Sequence, residues 1–142
     1  MGWRRSFAVL KILTGYVLAV LIASGVCTFL FAASDAFRSH GAPQISDIFT
    51  ILGIGVPTTA LSAWPGFLMT LAGSRFTGQN GYCYYVICGI ITSGLSVIFA
   101  AETFWGEGIY NLLASPAVYA GGAFGGLTYA LFHRRFIVID DT

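Results

Sequence analysis

Four long apolar runs, separated by short polar segments, set the pattern of this chain. The first, Ile12 to Ala33, reads ILTGYVLAVLIASGVCTFLFAA without a charged residue. As a helix rising 1.5 Å per residue it measures about 33 Å, enough to cross roughly 30 Å of hydrocarbon. The others run from about Ile48 to Ala72, Tyr82 to Ala101 and Ile109 to Phe132, again free of charge. None alternates apolar and polar residues as the strands of an outer-membrane barrel do. The pattern predicts an all-α polytopic membrane protein with four transmembrane helices, at about 12–33, 48–72, 82–101 and 109–132.

The interruptions are short. SDAFRSHGAPQISD, after the first run, carries a turn signal at Gly41-Ala42-Pro43, and GSRFTGQNG makes the second and third helices antiparallel neighbours. Phe104 and Trp105 in ETFWGEG suit one membrane interface, and Tyr82, Tyr84 and Tyr85 the opposite one. No linker divides the chain, so residues 1–142 read as a single four-helix domain with 136–142, FIVIDDT, as a short tail.

Composition then fixes the solvent. Charged residues make up 9% of the chain and hydrophobic ones 56%, with a mean hydropathy of +0.79. A soluble domain of this size needs far more polar surface. Of the basic residues, Arg4, Arg5, Lys11, Arg75, Arg134 and Arg135 fall on one side of the four runs, and Arg38 alone on the other. The positive-inside rule assigns the richer side to the cytoplasm, which places both termini there. MGWRR followed by an apolar run also has the outline of a signal peptide, with Ala32–Ser34 as a small-residue cleavage site. The run is well past the roughly 7–15 residues of such a signal, so it is expected to stay as an anchor. A net charge of +1 with no basic stripe excludes a nucleic-acid surface.

Prolines and glycines distinguish the second and fourth runs. Pro57 and Pro65 each remove a backbone donor, so bends are expected there, with Thr58, Thr59 and Ser62 near enough to satisfy freed carbonyls. Pro116 after Ser115 reads either as a mid-helix kink, the favoured expectation, or as the first residue of a helix capped by Ser115. The fourth run also contains GGAFGGLT. Gly121, Gly126 and Thr128 match a phosphate-binding loop in spacing, but Leu127 occupies the place of its lysine and no strand precedes it. On a helix, Ala117, Gly121 and Gly125 form one smooth ridge and Gly122, Gly126 and Ala130 another, about 100° round the axis. Helix packing is the expected role of these six residues.

Catalytic chemistry finds no foothold. Cys27, Cys83 and Cys88 form no CxxC pair and are expected to be small packing residues. His40, His133, Glu102 and Glu107 lie at run boundaries, where solvation is expected, and no nucleophile–base pair assembles. No catalytic, cofactor or metal residue is therefore assigned, and the chain is not read as an enzyme.

The stretch GGAFGGLTYALFHRR, within residues 116–135, resembles the last helix of uncharacterised small four-span proteins of the inner membrane of rhizobia-like alphaproteobacteria. The resemblance implies a bacterial inner-membrane protein and carries no activity. The expected function is that of an accessory or self-associating subunit acting through helix packing, with the lipid bilayer and a second copy or a larger membrane protein as partners. The alternative is a small oligomeric transporter or channel for a neutral or apolar solute, built on the broken second and fourth helices.

Overall fold

Apolar runs of this length satisfy their backbone hydrogen bonds most simply within helices. The computed structural model describes residues 2–39, 45–79, 81–100, 102 and 113–136, and the described residues form four α-helices and no strand. They are α1 (Gly2–Ser39), α2 (Ile45–Thr77), α3 (Tyr82–Ala100) and α4 (Pro116–Phe136). The Gly41-Ala42-Pro43 turn, His40, Phe104, Trp105, Glu107, residues 109–112 and the tail beyond Phe136 lie outside the described residues. Phe136, read above as tail, is the last residue of α4.

Helix ends follow local chemistry. Beyond α2, Gly78 takes φ 66°, the left-handed turn that closes helices and that glycine adopts without a Cβ penalty. Thr77 supports the exit: its hydroxyl donates to the Gly73 carbonyl at 2.8 Å and accepts the Gln79 N–H at 3.3 Å. At the other end, Leu113 and Ala114 form a short 3-10 turn, Ser115 is non-helical, and its carbonyl accepts the Val118 N–H at 3.2 Å. Pro116 therefore opens α4. This corrects the favoured expectation of a mid-helix kink: proline has no N–H to lose in a first turn, and its fixed φ suits a helix start. Pro57 and Pro65, by contrast, lie inside α2, which remains helical through both.

Two of the helices, α1 over Val9–Ala33 and α3 over Tyr82–Ala100, are long and apolar enough to cross a membrane. The sequence pattern predicts four such spans. In α4 the apolar run is diluted by four glycines and the terminal His133-Arg134-Arg135.

The helices form an antiparallel ring in which α1 touches α2, α2 touches α3, α3 touches α4 and α4 returns to α1. Register is visible in paired contacts. Gly73 lies against Tyr84 and Gly66 against Thr92 between α2 and α3, while Gly15 lies against Phe132 and Gly121 against Ala23 between α1 and α4. The packing is closest around α4 and looser around α2.

Beside an apolar and aromatic core the bundle buries several hydroxyls, and it exposes large apolar side chains. Ser24, Thr28, Ser62, Ser74 and Ser96 are buried, whereas Phe29, Leu61, Met69, Ile87 and Phe124 are exposed. A soluble monomer rarely exposes apolar surface on this scale.

Candidate functional site

The site is the interior of the ring, and α4 builds two of its walls. Its two glycine ridges face two different helices. A Cβ placed on Gly121 would stand 2.7 Å from the Ala23 carbonyl oxygen, and one on Gly125 3.0 Å from that of Ala19, so this ridge lies on the backbone of α1. Gly122 and Gly126 lie on the backbone of α3 at Gly89 and Tyr85, and Gly89 meets Gly122 in return. Ala117 and Ala130 are buried in line with them, Ala130 with 0% exposure. Four glycines cost the helix roughly 1 kcal/mol each relative to alanine in water, and close dispersion contact between backbones offsets it.

Around the last turns of α4, near His133, aromatic rings fill the centre. Tyr16 and Phe67 stand 4.5 Å apart between centroids, Phe67 and Tyr129 5.1 Å, and Tyr85 and Tyr129 5.3 Å. Hydroxyls at this end fasten α2 to its neighbours: Tyr16 donates to the Ala60 carbonyl, and Tyr84 to that of Thr70 at 2.9 Å. Tyr85 has only 1% exposure. The expectation that Tyr82, Tyr84 and Tyr85 form an interfacial belt is thus corrected for Tyr85, which turns inward, while Tyr82 stays exposed with the Arg134 guanidinium 4.8 Å over its ring. His133, expected to be solvated, is half-buried against Tyr85 and Tyr129, with centroids 5.6 Å and 6.0 Å away. That burial pushes its imidazole below the usual histidine range.

Above the aromatic plug the ring is not filled. A void of about 100 Å³ reaches from the rings of Tyr16, Phe67, Tyr85 and Tyr129 to Thr92 and Ser96. A larger one of about 230 Å³ adjoins it towards the Pro116 end, sharing Ala23, Thr59, Ser93, Ser96 and Gly122 as common wall. Hydroxyls line the larger void. Those of Thr58, Ser62, Ser93 and Ser96 donate to carbonyls of their own helices, at Ile54, Thr59, Ile90 and Thr92. In α2 these acceptors are not the carbonyls of Gly53 and Leu61 that Pro57 and Pro65 deprive of a donor: Ile54 follows Gly53, and Thr59 lies two residues before Leu61.

Among the described residues no group of three His, Cys, Asp or Glu side chains could hold a metal. Cys27, Cys83 and Cys88 are free thiols, and Cys27 borders the larger void. Sequence reasoning found the glycine ridges but missed the void and the aromatic plug. The signal for both was present on α3, where Tyr85, Gly89, Ser93 and Ser96 recur at helical spacing on one small or polar face. No family model matches the chain, and no curated protein or solved structure proved similar to it.

Proposed function

We propose that this is a small multi-pass protein of the bacterial inner membrane, with all four helices across the bilayer and both termini cytoplasmic. The observation that carries this is the outer surface: large apolar side chains are exposed on every helix, while Ser24, Thr28, Ser62, Ser74 and Ser96 are buried. A bundle of this kind is solvated by lipid, and Arg75 at the turn of the α2–α3 hairpin then shares the cytoplasmic face with Arg134 and Arg135 at the end of α4. Retention of α1 as an anchor is supported by its part in the ring, since α4 rests on its Ala19 and Ala23. Topology fusions test the reading. A fluorescent protein fused after Thr142 is expected to fluoresce, and a phosphatase inserted after His40 to be active; the reverse pattern at either site would refute it.

Such a bundle acts through contact, as an accessory or self-associating subunit. Both glycine ridges are occupied within the chain, so a partner would meet the outward apolar faces instead. Cross-linking in native membranes is expected to capture a second copy or a reproducible larger membrane protein; only monomer, across linkers of several lengths, would end this reading.

The void between the helices favours a second reading, a small oligomeric transporter or channel for a neutral solute. Flux in liposomes above that of empty vesicles, altered by Pro57→Ala, is its expected signature. Flux equal to empty vesicles across a broad panel of neutral solutes would count against it.

A further inference from the structure

The void near the Pro116 end is larger than close packing of small residues leaves, and its wall has a definite chemistry. Six hydroxyls line it, on Ser24, Thr58, Thr59, Ser62, Ser93 and Ser96, together with the Cys27 thiol and apolar side chains such as Phe31, Ile54 and Val97. Among the described residues no acid, base or histidine does. Four of the hydroxyls spend their protons on helix carbonyls at 2.6 to 3.4 Å, so what they can offer the void is acceptor capacity. Ser24 differs. With 6% exposure, its Oγ is buried and makes no hydrogen bond to the protein. A buried hydroxyl left unpaired is costly and calls for a partner.

We propose that this chamber binds a small neutral molecule rich in N–H or O–H donors, of the class of short polyols and simple amides, with Ser24 as its anchor. Neutrality follows from the described wall, because a buried charge would find no counter-charge among its residues. Donor character follows from the acceptors left by Thr58, Ser62, Ser93 and Ser96. Size follows from the volume: one water's share of the liquid is about 30 Å³, so about 230 Å³ matches several waters or one molecule of this class. The inference sharpens the second reading above by naming its solute class, and it rests on that reading only for what becomes of the molecule once bound.

Cys27 on the chamber wall and Cys83 on the surface give an internal comparison within one chain. The purified full-length protein in detergent is treated with methyl methanethiosulfonate, a small neutral thiol reagent, and modification of each cysteine is followed by peptide mass spectrometry. Glycerol and acetamide serve as probes. Either probe is expected to slow modification of Cys27 at least threefold, saturably, with Cys83 unchanged. Ser24→Val should abolish that protection, and Thr58→Val, an isosteric change, should weaken it and serves alone if the first variant does not fold. The proposal is overturned if neither probe separates the two cysteines, which leaves a void holding water only. It is also overturned if Cys27 is inert while Cys83 reacts, or if protection survives in the variants. Binding is read without a gradient or a bilayer, so its failure is distinct from a failure of the topology or flux tests.

Discussion

The second and fourth helices stand at opposite corners of the ring and meet its shared neighbours, α1 and α3, in opposite ways. On α4 the contact is backbone to backbone, through glycines whose missing side chains are the reason the helices can approach. On α2 the contact runs through long side chains: the Tyr16 and Tyr84 hydroxyls reach its carbonyls, and Thr92 covers Gly66. Backbone contact has no slack, because neither side can rotate away. Side-chain contact has slack in every χ angle, and it is beside α2 that the interior stays open. The difference separates a rigid wall from an adjustable one.

The largest effect should come from forcing a side chain into the rigid wall. Gly126→Leu drives a branched side chain into the Tyr85 carbonyl and the Val86 Cα of α3, which must move as a helix or not at all. Overpacking typically costs about 1–3 kcal/mol where side chains can adjust, and more where backbone is the obstacle. Loss of a monodisperse folded protein in detergent is expected. The matched change on α2, Gly53→Leu, meets nothing within 4 Å and should leave the thermal midpoint unchanged or slightly raised, since leucine favours a helix over glycine. Equal behaviour of the two variants would erase the distinction between the walls.

An intermediate effect tests the adjustable side directly. A Cβ at Gly66 would fall 2.7 Å from the Thr92 Cγ2 and 2.9 Å from its Oγ1, side-chain atoms that truncation can remove. Gly66→Ala should therefore cost about 1–3 kcal/mol, and adding Thr92→Ala should recover most of it, a coupling that a double-mutant cycle measures. Additive costs would show that the obstacle is backbone on α2 as well. Tyr16→Phe should lower stability by about 1 kcal/mol, the net worth of one hydrogen bond, while preserving the ring's contacts with Phe67 and Tyr129.

The contrast also explains which parts of the structure the sequence disclosed. Glycine pairs four residues apart declare a close approach on their own helix, so Gly121, Gly122, Gly125 and Gly126 were readable without knowing their partners. Which helix each ridge met was not readable, because that depends on rotation of α4 about its axis. Pro116 was ambiguous for a related reason: a proline marks a break or a beginning, and what decides is whether the preceding residue continues the helix. Ser115 does not. The chamber was hidden because it belongs to no single segment. Its hydroxyls come from three helices, each pairing or buried in a manner unremarkable by itself, and only the ring brings Ser24 opposite Ser62 and Ser96.

The smallest expected effect lies where the two walls meet the aromatic plug. His133, just beyond the fourth predicted run, is half-buried against Tyr85 of α3 and Tyr129 of its own helix, beside the exposed Arg134 and Arg135. Burial lowers its pKa in the folded protein below the ordinary histidine value near 6.5. Between the two values the unfolded chain binds a proton that the folded chain does not, so stability falls as pH drops through the unfolded pKa and levels off below the folded one. The thermal midpoint in detergent should therefore decline on going from pH 7.5 towards pH 5.5, and His133→Gln should flatten that part of the profile without changing it above pH 7.5. The slope should be shallow, because a half-exposed imidazole is largely screened by solvent. A slope that persists in the variant would place the titrating group elsewhere and detach the plug from any response to pH.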